Sequence, residues 1–186
     1  ASWFVAGTFL ALPWAVLSAL GFHPWLPWVP YALALAGTID TLSARDENVD
    51  LVLDRSSVES LRRAPRGEAR SARPLRIVQI TDPHLGVFMS VRRLQMLCER
   101  AVAKGPDLIL LTGDFLTMES QGDPEHLAAA LAPLRAMSGR VFACRGNHDL
   151  EAPDVVARAC ERAGVRLLID EAARIETEAG PVVVLS

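Results

Sequence analysis

The first 39 residues contain no Asp, Glu, Lys or Arg, although 22% of the whole chain is charged. Helices of soluble domains normally carry a polar stripe that faces water, and this stretch has none. Residues 1–22 and 24–43 are each about 20 predominantly apolar residues long, enough to cross a hydrocarbon core about 30 Å thick. Gly21, Pro24 and Pro27 favour a tight turn between the two segments. We therefore predict a transmembrane helical hairpin over residues 1–44.

Two other interpretations of this apolar region fit less well. A secretory signal peptide normally begins with basic residues, which are not seen here, and a second apolar segment follows directly. Two helices buried in a soluble domain would carry polar positions. Trp25, Trp28 and Tyr31 lie where the aromatic side chains of a membrane interface are expected, which favours the hairpin.

Residues 45–74 are predicted to hold a strand and an Arg-rich linker. Pro65, Gly67 and Pro74 break up regular structure in this stretch. The linker carries the basic residues Arg62, Arg63, Arg66, Arg70 and Arg73. By the positive-inside rule they favour a catalytic domain on the cytoplasmic side, and they are also suited to contact anionic headgroups.

From residue 75 onward, short apolar runs alternate with amphipathic segments. This alternation predicts an α/β domain over residues 75–186 with a largely parallel sheet at its start. Strands are predicted at residues 75–81, 107–112, 140–144 and 165–169, and helices at 91–104, 124–137 and 153–163. A hairpin is predicted from residues 174–177 and 182–185, with Ala179 and Gly180 in its turn.

Polar clusters follow three successive predicted strands. The first is Asp82-Pro83-His84, the second is Gly113-Asp114, and the third runs from Gly146 through Asn147 and His148 to Asp149. Ligands of open α/β sheets bind outside the carboxyl ends of the strands, so these side chains are expected to converge. The glycines allow sharp turns and keep bulk away from the site.

Carboxylate oxygen and imidazole nitrogen are donors that suit manganese, iron or zinc. Asp82 and His84, one residue apart, can bind the same cation. Asp114 is suited to bridge two cations because its carboxylate has two oxygens and a negative charge, and Asn147 offers a neutral oxygen to the second cation. Each residue alone would be read as a helix cap or a turn residue, and the prediction rests on their joint placement.

The motifs TDPHLG, LTGDF and RGNHD, in this order, resemble the first three motifs of the calcineurin-like metallophosphoesterases. The resemblance implies a β-sandwich flanked by helices with a two-metal site at one edge. It implies that Asp82 and His84 bind one metal, that Asp114 bridges, and that Asn147 binds the second metal. It also implies that His148 contacts the phosphate and protonates the leaving group, oriented by Asp149.

The function implied by the resemblance is hydrolysis of a phosphate ester by hydroxide activated between two divalent cations, manganese, iron or zinc. The hydrophobic leader is similar to that of membrane-associated bacterial members, and the anchor favours a lipid-linked or nucleotide-linked phosphate as substrate. The family also has a later histidine and a closing GHxH motif. No histidine follows Asp149 here, so we expect residues 75–186 to be the N-terminal portion of a truncated domain and this chain to be an inactive fragment.

Two other functions remain open from the sequence. One is a non-catalytic metallophosphoesterase-like scaffold that binds protein partners, although a scaffold need not retain His148. The other is a nuclease of the same superfamily, which is disfavoured because the net charge is -3 and no dense basic tract is seen. Cys98, Cys144 and Cys160 lack metal-binding spacing and are predicted to be buried thiols.

Overall fold

The structure, a computed structural model, describes residues 2–23, 25–42, 47–53, 61–63, 74–117 and 124–186. Its contacts divide the chain into two compact units, Ala1–Glu68 and Ala69–Ser186. Pro24 of the predicted turn lies outside the described residues. So do Arg66, Arg70 and Arg73 of the predicted linker.

The first unit contains three helices, α1 (Ser2–Leu10), α2 (Leu12–Ala19) and α3 (Val29–Leu42). The first predicted helix is thus divided in two. The division coincides with Pro13 at the start of α2, since proline has no N–H to continue the hydrogen bonds of the preceding turn. Gly7 lies so close to α3 that a Cβ would overlap the ring of Tyr31. The Trp14 indole Nε1–H donates a hydrogen bond to the Trp25 carbonyl at 2.9 Å, which ties α2 to the turn.

Large apolar side chains cover the outside of these helices. Trp25 is 88% exposed and Leu20 is 67% exposed, and most described side chains of α1, α2 and α3 are classed as exposed. Among the described helices, none combines the length and the apolar character needed to cross a membrane. The transmembrane character of residues 1–44 stays a prediction.

A short antiparallel pair of strands ends the described part of this unit. Strand β1 (Leu51–Leu53) pairs with β2 (Leu61–Arg63), with Leu51 opposite Arg63 and Leu53 opposite Leu61. Arg62 and Arg63, which belong to the region predicted to hold a strand and an Arg-rich linker, lie in β2.

The second unit is built on a four-stranded parallel sheet. Its strands are β3 (Ile77–Ile80), β4 (Leu108–Leu111), β5 (Val141–Ala143) and β6 (Arg166–Leu167), in that order across the sheet. The connections contain α4 (Val91–Ala103), α5 (Pro124–Leu131) and α6 (Pro153–Ala163). Right-handed crossovers in a sequential strand order place all three helices on the same face.

Side chains of the three helices and one sheet face form the main core. Leu94 of α4, Leu131 of α5 and Val156 of α6 are fully or almost fully buried with Ile109 and Val141 of the sheet. The Ser90 hydroxyl caps α4 by accepting a hydrogen bond from the Arg93 N–H at 3.3 Å. The helices therefore cover one face of the sheet, and the loops begin at the carboxyl ends of its strands.

The opposite sheet face packs against an antiparallel hairpin of β7 (Ala172–Thr177) and β8 (Gly180–Leu185). Leu108 and Phe142 of the sheet form a second buried cluster with Ala173, and Ile175 and Val184 pack against it. The predicted α/β architecture with a parallel sheet and this hairpin is confirmed. The complete β-sandwich stays a prediction.

One predicted helix and one predicted thiol differ in the structure. The helix predicted over residues 124–137 ends as an α-helix at Leu131 and continues as a 3-10 helix, Ala132–Met137, because Pro133 cannot donate to the preceding turn. Cys98 and Cys160 are buried, as predicted, whereas Cys144 is only partly buried. All three cysteines are free thiols.

Candidate metal centre

The loops that follow β3 and β4 are joined by main-chain hydrogen bonds. The His84 N–H donates to the Asp114 carbonyl at 2.9 Å, and the Leu85 N–H donates to the Phe115 carbonyl at 2.8 Å. The two loops thus continue the pairing of their parallel strands for several residues beyond the sheet. This pairing brings the side chains of Asp82, His84 and Asp114 to the same edge.

The loop that follows β5 is tied to the β4 loop by a buried carboxylate. Asp149 is fully buried, the one charged side chain so placed among the described residues. One carboxylate oxygen accepts from the Phe115 N–H at 2.8 Å and the other accepts from the Gly146 N–H at 2.9 Å. A buried carboxylate is stable only when its oxygens have donors, and here main-chain amides of both loops supply them.

Asp82, His84 and Asp114 form a group that could hold a cation. Their nearest donor atoms all lie within 4.8 Å of one another. The His84 Nε2 atom is 3.7 Å from a carboxylate oxygen of Asp114. Two carboxylates this close repel each other unless a positive charge lies between them, and the mixed oxygen and nitrogen donors suit a divalent transition metal. These residues therefore fit the cation predicted from the sequence.

All three members of this group have a left-handed backbone. The φ angles are +47° for Asp82, +45° for His84 and +53° for Asp114. Only two other non-glycine residues in the described ranges, Leu26 and Asp170, have positive φ. This conformation is uncommon outside glycine, and strained residues persist mainly where function requires their side chains. The clustering of strain at the three donors supports a binding role.

Gly113 and Gly146 allow the β4 and β5 loops to approach closely. A Cβ on Gly113, whose φ is +84°, would lie 2.7 Å from the Cα of Gly146. A Cβ on Gly146 would overlap the carboxylate and the backbone nitrogen of Asp114. The turning role predicted for Gly113 agrees with its positive φ. Gly146 has no positive φ, and its small size is needed because Asp114 fills the space beside it.

His148 lies beside the group. Its backbone N–H donates to Asp114 Oδ1 at 3.1 Å and so orients that carboxylate. Its ring packs edge-on against the His84 ring, with the centroids 5.1 Å apart and the planes at 79°. The Nδ1 atom of His148 is buried and has no hydrogen-bond partner among the described residues.

The predicted orientation of the His148 imidazole by Asp149 is not found. Both carboxylate oxygens of Asp149 accept from main-chain amides, and the buried His148 Nδ1 donates to neither of them. The ring is instead fixed by its contact with His84. Asp149 acts on the site by holding the loop, and the sequence motif alone could not distinguish the two roles because either places an aspartate after His148.

Asn147 begins the 3-10 helix His148–Glu151 and is exposed. The N–H of its neighbour His148 donates to Asp114 of the β4 loop, and the N–H of its other neighbour, Gly146, donates to Asp149 within the β5 loop. The side chain therefore starts from the correct edge of the sheet for a cation ligand. Its role at a second cation stays a prediction.

Thr81 is a site residue that the sequence reasoning missed. Its hydroxyl forms a short hydrogen bond with a carboxylate oxygen of Asp82 and restricts that side chain. A hydroxyl directly before the first aspartate of the TDPH segment was the signal that could have identified it.

Among the residues near Asp149, burial first and the Asp149 charge second raise the pKa of the Cys160 thiol to about 12. Cys160 is therefore a neutral thiol at physiological pH.

Sequence comparisons with known proteins find relatives that are named as a pyrophosphatase and as a phosphodiesterase. The protein named UDP-2,3-diacylglucosamine pyrophosphatase LpxG of Chlamydia trachomatis serovar D is 40% identical over 75 residues, which is 40% of this chain and 22% of that protein. Its counterpart in Chlamydia muridarum is 37% identical over 75 residues, again 40% and 22% of the two chains. Phosphodiesterase YaeI of Escherichia coli strain K12 is 29% identical over 111 residues, 58% of this chain and 41% of that protein.

This chain matches less than half the length of each of these relatives. The family model of the calcineurin-like phosphoesterases matches residues 75–177. The matched range contains the three loops and all six predicted site residues, and it covers more than half of the chain. The chain therefore belongs to the calcineurin-like phosphoesterase family.

Proposed function

We propose that this protein, at its natural full length, hydrolyses a phosphate ester with the help of divalent cations bound at the β3 and β4 loops. The observation that carries the proposal is the group of Asp82, His84 and Asp114, with donor atoms within 4.8 Å of one another and a strained backbone at each residue. A non-catalytic scaffold would gain stability by losing that strain, so the strain favours the enzyme over the scaffold.

Asp82 and His84 would hold one cation, and Asp114 would bridge to a second cation that Asn147 also contacts. The bridging role is supported by the two environments of the Asp114 carboxylate. Oδ1 accepts the His148 N–H at 3.1 Å, while Oδ2 lies 3.7 Å from His84 Nε2. The donor set suits manganese, iron or zinc. The second position has two protein donors in this chain, so we expect it to bind its cation more weakly than the first.

Bound cations supply Lewis acidity and lower the pKa of a water molecule at the site. The protein's own contribution to the reaction is to place charge and protons. Asp82 and Asp114 fix where positive charge accumulates, and therefore where the phosphoryl oxygens bind. His148 is held against His84 beside this position and would donate a proton to the leaving oxygen, a step typically worth about 100- to 10,000-fold in rate.

The first unit would anchor the protein in a membrane, with the catalytic unit on the cytoplasmic side. Support comes from the apolar side chains exposed on α1, α2 and α3 and from the absence of charged residues before Asp40. One relative is named for a diacylglucosamine substrate. Together with the anchor, this name favours a lipid-linked phosphate ester as the substrate of the present protein.

Cation binding and hydrolysis test the proposal in two steps. Isothermal titration of the chain with Mn²⁺ is expected to show one tight site, which is lost in Asp114→Asn. Hydrolysis of a chromogenic phosphodiester by the full-length protein is expected to require Mn²⁺ and to fall about 100-fold or more in His148→Ala. His126→Ala serves as the matched histidine control because His126 is exposed on α5.

Full activity of His148→Ala, or activity that survives removal of all divalent cations, would contradict the proposal. Tight Mn²⁺ binding without hydrolysis of soluble or lipid-linked esters would favour the scaffold. A membrane role is tested separately by flotation with vesicles, comparing the full-length protein with a version that starts at residue 69. Equal flotation of both would exclude the anchor.

A further inference from the structure

Exposed apolar side chains flank the candidate metal centre on the loops of the same sheet edge. Val87 is 79% exposed and Phe88 is 46% exposed in the loop after β3, and Leu150 is 65% exposed in the loop after β5. We call these three residues the apolar rim. Phe88 is four residues from His84, and Leu150 is two residues from His148. The rim residues therefore belong to two of the three loops that carry the candidate site.

The β3 part of the rim is held in a fixed turn. Leu85 and Met89 form an isolated β-bridge, and the Gly86 N–H donates to the Met89 carbonyl at 3.0 Å. The Arg93 guanidinium donates to the Phe88 carbonyl at 2.8 Å. A Cβ on Gly86 would overlap the Thr117 hydroxyl, so the turn also fits closely against the β4 loop. These contacts hold the turn in one conformation, in which Val87 is exposed to solvent.

Folding of the second unit does not explain why these side chains are apolar. Val87, Phe88 and Leu150 are absent from both buried clusters, so they add little to the hydrophobic stabilisation of the fold. Apolar side chains that surround polar groups are the usual composition of a binding site. The rim therefore has the chemistry to contact an apolar group whose polar end reaches Asp82 and Asp114.

The charges of these loops favour a single amphiphilic molecule over a bilayer surface. In the sequence, the loops after β3, β4 and β5 carry six acidic residues and one cationic residue, Arg145; the acidic residues are Asp82, Asp114, Glu119, Asp123, Asp149 and Glu151. Surfaces that bind anionic bilayers are basic instead. A phosphate ester with a hydrocarbon part would satisfy both features, since its phosphoryl group would be drawn to the cations and its hydrocarbon part to the rim.

We propose that the apolar rim of Val87, Phe88 and Leu150 binds the hydrocarbon part of an amphiphilic phosphate ester whose phosphoryl group lies at Asp82, His84 and Asp114. The inference rests on the proposed function and adds the residues that select the substrate. The rim thus discriminates between esters of long and short alcohols, whereas the cation group binds either phosphoryl group.

Binding of two phosphonates, which are not hydrolysed, tests the rim without relying on turnover. Octylphosphonate, kept below its micelle concentration, and methylphosphonate are titrated into the full chain in the presence of Mn²⁺. We expect octylphosphonate to bind at least about tenfold more tightly, because several methylene groups leave water. The variants Val87→Ser/Phe88→Ser and Leu150→Ser are expected to lose most of this difference and to keep the affinity for methylphosphonate.

Met96→Ser is the matched control, since Met96 is 45% exposed on α4 and lies outside the three loops. It is expected to leave both affinities unchanged. Equal affinity of the wild type for the two phosphonates would overturn the proposed role of the rim. So would a loss of octylphosphonate affinity in Met96→Ser as large as that in the rim variants. Reduced binding of the rim variants to anionic vesicles, with unchanged octylphosphonate affinity, would overturn it in favour of bilayer docking.

The outcomes also separate the rim from the proposed function. If methylphosphonate binds in a Mn²⁺-dependent way and octylphosphonate gains nothing, only the rim is wrong. If neither phosphonate binds and the chain binds no Mn²⁺, the proposed function and the rim both fail. Nuclear magnetic resonance shifts of the Val87 and Leu150 methyl groups on octylphosphonate binding would locate the hydrocarbon directly.

Discussion

The loops after β3 and β4 and the loop after β5 meet at one sheet edge but contribute to it differently. The first two present Asp82, His84 and Asp114, which are exposed or half-buried and have positive φ. The third contributes Asp149, which is fully buried with both oxygens hydrogen-bonded to main-chain amides. The cation donors are thus strained and open, whereas the residue that holds the loops together is buried and satisfied.

This difference separates binding from stability within a few residues. A carboxylate in contact with water keeps its charge without a protein partner until a cation binds, whereas a buried carboxylate requires hydrogen-bond donors from the protein. Removing an exposed donor should therefore abolish cation binding with little effect on folding. Removing the buried carboxylate should destabilise the fold before any question of binding arises.

Asp149→Ala gives the largest expected effect. It leaves the Phe115 and Gly146 amides without their acceptor, so we expect the second unit to lose about 3 to 5 kcal/mol of unfolding free energy. Tryptophan fluorescence would report on the first unit, because all four tryptophans of the chain lie there. Amide hydrogen exchange is the suitable measurement, since it reports on the second unit. Asp149→Asn keeps one acceptor oxygen and should lose less. A loss below 1 kcal/mol in Asp149→Ala would show that the buried carboxylate is not what holds the loops.

A glycine series tests the close approach of the β4 and β5 loops. Gly146→Ala places a methyl group on the Asp114 carboxylate, and overpacking of this kind costs about 1 to 3 kcal/mol. Gly139→Ala has open space around it but a φ of +82°, so it should lose only about 1 kcal/mol through backbone strain. Thermal unfolding followed by circular dichroism compares them. If Gly146→Ala were no worse than Gly139→Ala, the contact between the loops would be looser than the structure shows.

Sequence reasoning located the strands and loops of the second unit because each has a local signal. Short apolar runs predicted β4 and β5, and helix α6 has the predicted bounds Pro153–Ala163. Polar residues directly after those runs predicted where Asp82, His84 and Asp114 would meet. Parallel pairing of neighbouring strands places their carboxyl ends at the same sheet edge, so the side chains that follow these strands lie close together.

The features that the sequence could not predict depend on partners distant in sequence. The role of Asp149 is decided by the Phe115 amide, 34 residues away, and no local pattern records that contact. The left-handed backbone of the three donors is also a tertiary effect, because Asp and His only tolerate that conformation and do not require it. The exposure of Val87, Phe88 and Leu150 is likewise a tertiary feature that no local sequence pattern records.

The buried thiols give a smaller, pH-dependent effect. Burial, followed by the charge of Glu99, raises the pKa of Cys98 from 9.0 to about 12. A folded-state pKa above the unfolded value contributes stability that is complete below pH 9 and is lost as the pH rises toward 12. We expect the unfolding free energy to fall by about 1 kcal/mol per pH unit per buried thiol above pH 9. Cys98→Ala should reduce this slope, whatever its effect at pH 7, and an unchanged slope would exclude Cys98 as its source.

Asp82→Gly gives the smallest expected change in stability and the clearest separation of the two roles. Glycine removes the strain of a φ of +47° and the repulsion with Asp114, but it also gains freedom in the unfolded state. Without cations we therefore expect a net gain of at most about 1 kcal/mol by hydrogen exchange. With Mn²⁺ at about 100 times its Kd, the wild type should gain about 2.7 kcal/mol and the variant much less.

Asp170→Gly is the matched control for that experiment. Asp170 is exposed, has a φ of +51° and lies outside the cation group, so its replacement should relieve similar strain while keeping the full response to Mn²⁺. A Mn²⁺ response in Asp82→Gly equal to that of Asp170→Gly would mean that Asp82 is not a ligand. The strain at Asp82 would then have no functional cause, and the division between open donors and a buried frame would not hold for the β3 loop.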